Sequence, residues 1–301
     1  MKKNAMRISE SSGVKTSVIQ KENVLSYFDK NDAWQDELYD GLDDYQSRLL
    51  RRRREYAIYM LKNQTALGRG KVLDVGCGSG AFLKELRDMG FDVTGVDISQ
   101  GMLAASRKRL GVEGHKSIRV HLVPGDIECL PFQREEFDLV ICIGVVGYLF
   151  QDEQALSEIY RVLKPGGHLL IYLSNVYSLF NIDFVFRQRA KSFLKLRSKE
   201  GNCLSIPEYA LEMKWAKDHE KFFYKAYNPW KYERVLATHG FKLISAITFG
   251  FEFRRFRRLH LLPASWFDKI ELSLERLIHR YNIPYFSYSG WMYLSMLDKT
   301  A

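Results

Sequence analysis

Lys71-Val72-Leu73-Asp74-Val75-Gly76-Cys77-Gly78-Ser79-Gly80 decides the fold of this 301-residue chain. A β-branched run carrying an acid near its end passes directly into alternating glycines, and Ala81–Met89 then reads as a helix closed by Gly90. Such a strand, glycine turn and helix bring backbone close to a ligand and aim a helix N-terminus at it. Gly76, Gly78 and Ala81 also satisfy G-x-G-x-x-[GA], with Asp97 about 20 residues on, a spacing shared with dinucleotide sites.

Outward from this turn, short apolar runs alternate with amphipathic stretches, the pattern of parallel strands joined by helical crossovers. Strands are expected near Lys71–Val75, Asp92–Asp97, Ile118–Val123, Phe137–Ile143, His168–Leu173, Phe241–Phe249 and Trp291–Met296. Helices fit at Tyr45–Leu61, at Gly101–Leu110 behind the N-cap Ser99, and at Pro229–His239 before Gly240. Lys164-Pro165-Gly166-Gly167 reads as a tight turn between a helix and a strand. The organisation expected is an N-terminal arm and aromatic flap over 1–44, a ligand-binding core over 45–174, and a lid or substrate insert over 175–228. Residues 229–301 then complete the sheet and carry a second insert over 251–289.

Composition is that of an ordinary globular chain, 46% hydrophobic and 27% charged. Met1 to about Lys21 is polar, without an apolar signal core, and is read as a loose arm on a cytoplasmic protein. Phe137–Phe150, the most apolar stretch, falls short of the ~20 residues that span a bilayer. Cys77, Cys129, Cys142 and Cys203 form no C-x-x-C pair and have no histidine at ligand spacing, so neither a disulfide framework nor a metal site is expected. The net charge of +9 is read either as a solvated lysine excess or as attraction to an anionic surface.

Asp74 distinguishes the ligand: a carboxylate at that strand end suits the ammonium of a methionine moiety and repels a pyrophosphate. Val72 to Gly80, Val96-Asp97-Ile98-Ser99, Gly125-Asp126-Ile127 and Arg161-Val162-Leu163-Lys164-Pro165-Gly166-Gly167 resemble, in order and spacing, the motifs of class I S-adenosylmethionine-dependent methyltransferases. That resemblance covers about Lys71 to Ser174 and implies an α/β Rossmann-like fold: a seven-stranded, mostly parallel sheet with helices on both faces and two inserts. It implies S-adenosyl-L-methionine as cofactor, with Asp74 near its ammonium and Gly76, Cys77, Gly78 and Gly80 beneath the methionine part. Asp97 would take the ribose hydroxyls, Asp126 with Ile98 and Ile127 would flank ribose and adenine, and Ile143 with Gly144 would line the mouth.

The acceptor side, Gly144-Val145-Val146-Gly147-Tyr148-Leu149-Phe150, lacks the Asn/Asp-Pro-Pro-Tyr/Phe signature of base-amine methylation and is apolar and aromatic. Tyr27, Phe28, Trp34 and Tyr39 are candidates for the flap. Arg51–Arg54 cover most of a turn, so some are expected near the protein body with packed stems, and the run is read as a solvated face with an anion site as the alternative; Arg53 shares the apolar face of Leu49, Tyr56, Ala57, Met60 and Leu61. In the second insert, Phe253-Arg254-Arg255-Phe256-Arg257-Arg258 precedes a helix capped by Ser265 and Asp268. That helix is expected to pack the face of Trp266, Phe267, Ile270, Leu274, Leu277, Ile278 and Tyr281, or to dock on an anionic membrane surface. Asp218-His219-Glu220-Lys221-Phe222-Phe223-Tyr224, with the helix ending at Gly240-Phe241, is similar to ubiquinone-biosynthesis O-methyltransferases. The similarity implies methyl transfer to an oxygen, with nitrogen or carbon as the alternative, of a hydrophobic or lipid-linked small molecule. His219 is the candidate catalytic base for a phenolic acceptor. The alternatives are an RNA methyltransferase holding phosphates with the +9 charge, a non-catalytic cofactor-binding module, and a nicotinamide enzyme.

Overall fold

β1 (Lys71–Val75) is buried beyond its first residue because parallel strands flank it on both sides, β2 (Asp92–Asp97) and β4 (Phe137–Cys142). In this computed structural model, which describes residues 17–30, 45–63, 70–111, 120–176, 210–213, 222, 224–250, 264–281 and 292–300, β3 (Val120–Pro124) pairs outside β2 and β5 (Leu163–Ser174) beside β4. β9 (Met292–Lys299) runs antiparallel between β5 and the edge strand β8 (Phe241–Phe249), giving the order β3-β2-β1-β4-β5-β9-β8. The expected seven-stranded, mostly parallel sheet is therefore borne out.

Both faces of the sheet are covered, as a mostly parallel sheet requires. One carries α2 (Tyr45–Lys62), α3 (Leu83–Asp88) and α4 (Gln100–Leu110), whose Leu49, Ala57, Leu83, Leu86 and Leu103 pack with Val72, Val93 and Leu139. The other carries α5 (Glu153–Val162) and α6 (Pro229–Thr238), with Leu156, Ile159, Tyr232 and Leu236 against Leu73, Val140 and Ile171. Ser99 caps α4 by accepting from the Met102 N–H at 3.1 Å, as expected.

Two local readings need correction. Lys164-Pro165-Gly166-Gly167 is not a turn between helix and strand but a bulge inside β5, because Phe137 pairs with Leu163 and Leu139 with His168. Asp138, opposite the bulge, explains the arrangement: its carboxylate accepts from Lys164 Nζ at 2.7 Å and from the Lys71 N–H at 2.8 Å. Residues 17–21 are not part of a loose arm, since 17–30 form a helix, α1.

The inserts are held by buried charges. β6 (Ala210–Met213) and β7 (Tyr224–Tyr227) form a separate two-stranded sheet, joined to the end of β5 by a bridge from Asn175 to Tyr227. On β7, Lys225 is fully buried and donates to Asp152 at 2.5 Å, while the Tyr227 hydroxyl donates to Val146 O at 2.7 Å. α7 (Ala264–Tyr281) does not bury the face expected of it: Trp266, Ile270 and Leu277 are 56, 43 and 49% exposed, whereas Ile278 is buried. At about 100° per residue the seven apolar positions span about 120°, a stripe that could be buried together; the helix is instead rolled about its axis. Glu275 decides which part turns inward, because its buried carboxylate accepts from Arg52 at 3.0 Å, Tyr56 at 2.8 Å and the Gly250 N–H at 2.9 Å.

Removing one partner of a fully buried pair leaves an uncompensated charge, so Lys225→Met is expected to cost about 3–5 kcal/mol of stability. The double variant Lys225→Met/Asp152→Leu should recover most of it. Equal denaturant midpoints for the wild type and the single variant would show the pair to be dispensable.

Candidate active site

The glycine turn is fastened to the neighbouring strand rather than free. Gly76 and Cys77 N–H both donate to Val96 O, at 2.7 and 3.1 Å, and Gly80 N–H closes back on Cys77 O at 3.0 Å. Gly76 has φ +68°, and a Cβ there would lie 2.2 Å from Val145 Cγ2. Backbone conformation and space thus both demand glycine where β1 meets the segment after β4. The Cys77 thiol is buried and its pKa is raised by that burial and by Asp97 and Asp74, which makes it a packing group rather than a nucleophile.

Asp97, at the end of β2, accepts the Gly78 N–H at 2.8 Å on one oxygen and the Ser99 N–H at 2.9 Å on the other. Burial pushes its pKa up, and those two N–H groups work against the rise. Asp74 is 4% exposed, and burial together with the Asp97 charge pushes its carboxyl up to about 8. Near neutral pH the cleft therefore holds Asp97 beside an Asp74 carboxyl kept largely protonated, and a cationic ligand would favour ionisation of both.

A cavity opens beside them, lined by Gly76, Asp97, Ile98, Gly125, Asp126, Ile127, Gly144, Val145 and Tyr148. Of the expected ligand-binding residues it thus brings together Gly76, Asp97, Ile98, Asp126, Ile127 and Gly144. Asp74, Cys77, Gly78, Gly80 and Ile143 stand behind this lining, in the turn and at the strand ends. α1 roofs the cavity through Ser17, Gln20, Lys21, Val24 and Phe28. Three latches hold it there. Lys21 pairs with Asp126 at 2.6 Å and with Glu128, Gln20 donates to Tyr148 O at 3.0 Å, and Asp29 accepts from Ser99 Oγ at 2.5 Å. Burial opposes the Lys21 charge, but the hydrogen bonds to Asp126 and Glu128 outweigh it and raise its pKa. Of the flap aromatics, Phe28 packs edge-on against Tyr148 at 5.4 Å and Tyr27 against Phe222 at 5.3 Å. Trp34, Tyr39 and the candidate base His219 lie outside the described residues.

The arginine run is a finding that periodicity did not supply. Arg52 is tied to Glu275 and Arg54 to Glu85 at 3.4 Å, so the solvated-face reading does not hold for them. Arg53 is carried to the ends of β4 and β5, where its guanidinium lies 4.8 Å from the centroid of Tyr172 and 3.3 Å from where a Cβ on Gly144 would stand. Its place on the apolar face of α2 was the one signal in the sequence.

Residues 73–171 match the family model described as a methyltransferase domain. The chain is 38% identical over 99 residues to the malonyl-[acyl-carrier protein] O-methyltransferase of Enterobacter lignolyticus, covering 33% of this chain and 37% of that one. It is 39% identical over 129 residues to the demethylmenaquinone methyltransferase of Symbiobacterium thermophilum, covering 42% and 51%. The match thus spans about two fifths to half of each relative's length. A SAM-dependent methyltransferase of Methanosarcina mazei shares the fold, with TM-score 0.52 and 16% identity over 80% of this chain and 97% of that one. The resemblance of the core to methyltransferases is borne out over residues 73–171, and the shared fold agrees with it.

The raised Asp74 pKa fixes a sign for stability without ligand. Unfolded, this carboxyl ionises near 4 and folded near 8, so stability present below pH 4 is lost as pH rises toward 8. Asp74→Asn is expected to gain on the wild type between pH 5 and pH 8 in chemical unfolding; a gap independent of pH would place Asp74 in contact with water.

Proposed function

We propose that the chain transfers the methyl group of S-adenosylmethionine to an oxygen of a hydrophobic or lipid-linked small molecule. The observation that carries this reading is the buried pair Asp74 and Asp97 around a glycine turn, a site short of positive charge that an ammonium and a sulfonium complete. When bound, the cofactor supplies an electrophilic methyl group. Asp74 would hold its ammonium, and Gly76, Cys77, Gly78 and Gly80 would underlie the methionine part. Asp97 would accept the ribose hydroxyls, its orientation set by the N–H groups of Gly78 and Ser99. Ile98, Asp126 and Ile127 would flank the adenine, and Ile143 with Gly144 would form the mouth. The roof formed by α1 excludes water, so the enzyme acts chiefly by positioning donor and acceptor. His219, outside the described residues, is the proton acceptor proposed for a phenol. Support for an oxygen comes from the relative named a malonyl-[acyl-carrier protein] O-methyltransferase, and support for a lipid-related acceptor from the one named for demethylmenaquinone.

A membrane surface is proposed as the place of action, on one observation. The outward side of α7 presents Trp266, Ile270 and Leu277, with exposed Lys269, Arg276 and Arg280 along one flank. Apolar side chains beside cations suit an anionic lipid interface.

Two measurements test these readings. Asp97→Ala is expected to weaken S-adenosylmethionine binding by about 2–3 kcal/mol, the scale of hydrogen bonds to a charged group; calorimetric affinity within about threefold of wild type removes Asp97 from the site. Vesicles containing phosphatidylglycerol should sediment the protein and shift Trp266 emission to the blue, with both effects reduced by salt and by Lys269→Glu/Arg276→Glu. Equal binding to neutral phosphatidylcholine vesicles would instead assign the face to plain protein packing.

A further inference from the structure

Five polar side chains meet where β4 and β5 end, and the arrangement described so far uses none of them as a group. Tyr172 and Ser174 lie at the end of β5, Tyr224 comes from β7, Tyr148 from the segment after β4, and Arg53 from α2. They are connected. The Tyr172 hydroxyl and Ser174 Oγ are 2.9 Å apart, Ser174 Oγ and the Tyr224 hydroxyl are again 2.9 Å apart, and the Tyr148 ring stands edge-on to Tyr224 at 4.8 Å. Arg53 covers the Tyr172 ring and reaches Gly144, which with Tyr148 also lines the cavity assigned to the cofactor. The cluster therefore adjoins the side of that cavity expected to face an acceptor.

Resting on the methyltransferase reading above, we infer that this cluster is the acceptor subsite and that it takes a carboxylate, methylated on oxygen to an ester. Arg53 already donates to the Tyr172 hydroxyl, but a guanidinium carries five N–H donors, and those beyond that bond, with the neighbouring hydroxyls and a full positive charge in a partly buried place, match the two oxygens of a carboxylate. The same cluster is poorly built to activate an alcohol. Burial raises the pKa of Tyr172 and Tyr224, and of Tyr148 likewise, so none of these phenols takes up a proton from an acceptor at neutral pH. They donate hydrogen bonds instead. A carboxylic acid reaches the site already ionised, its ordinary pKa lying about three units below neutrality. Its oxygen attacks the sulfonium methyl carbon; the C–O bond forms as the C–S bond breaks, the electron pair stays on sulfur as a neutral thioether, and no proton is moved. The base that a phenol would require is then unnecessary.

The test uses the full chain loaded with S-adenosylhomocysteine and titrated with octanoate and with octanol, which share a chain and differ in the head group. Octanoate is expected to bind at least about tenfold more tightly, the worth of one charge-assisted contact. Arg53→Gln should abolish that preference and Arg53→Lys should keep part of it, while affinity for S-adenosylhomocysteine stays within threefold. Octanoate binding no tighter than octanol, undetectable binding included, overturns the proposal on the wild-type protein alone, whether or not the variants fold. If Arg53→Gln weakens S-adenosylhomocysteine tenfold and leaves the octanoate preference, the guanidinium serves the cofactor's own carboxylate and the proposal likewise fails. Absence of S-adenosylhomocysteine binding in the wild type would sink the methyltransferase reading itself, an outcome separate from either.

Discussion

Val96 O accepts two hydrogen bonds from the turn that follows β1, and the site is built on that connection. It pins Gly76 and Cys77 to the end of β2, so the two central strands finish side by side with Asp74 and Asp97 in one cleft. Buried carboxylates of like charge are costly without a cation, and Asp74 records that cost as a carboxyl raised to about 8. The fold pays for this arrangement with two apolar layers of helices, which keep the sheet dry on both faces. Ligand affinity and stability without ligand are thereby opposed, as they often are where function stores strain.

Around this centre, polar contacts rather than apolar area fix the peripheral elements. Lys225 on β7 reaches Asp152 beyond β4, so the small sheet and the segment 146–152 are held as one unit. Glu275 does the same for α7, gathering Arg52 and Tyr56 from α2 and the Gly250 N–H at the end of β8. Buried ionic contacts of this kind contribute little net stability but penalise every arrangement in which a partner is lost. At the cavity they give register: α1 is seated by Lys21, Gln20 and Asp29, residues spread around one helix. The exposed Trp266, Ile270 and Leu277 follow from the same logic, since turning Glu275 inward leaves them outside.

Arg51 to Arg54 show how far identical residues can diverge. A run of one residue type contains no signal to separate its members, and helical spacing only sorts them by direction. Arg52 and Arg54 found carboxylates on α7 and α3, elements distant in sequence. Arg53 found an aromatic ring and the backbone beyond β4.

Local sequence specifies the strand-turn-helix of Lys71–Met89, the alternation that makes a parallel sheet, the N-cap Ser99, and the carboxylates at the ends of β1 and β2. These are local: each depends on backbone preferences or on side-chain period within about ten residues. The bounds that shifted did so where partners are remote. β5 begins at Leu163 because β4 pairs with it there and Asp138 holds the bulge. Only the tertiary structure decided that 17–30 roofs the cavity, that α7 turns on a buried glutamate, and that Arg53 and three tyrosines from different elements face one place. Contacts between residues a hundred or more positions apart leave no period in the chain, and charge pairs form wherever packing brings partners within reach.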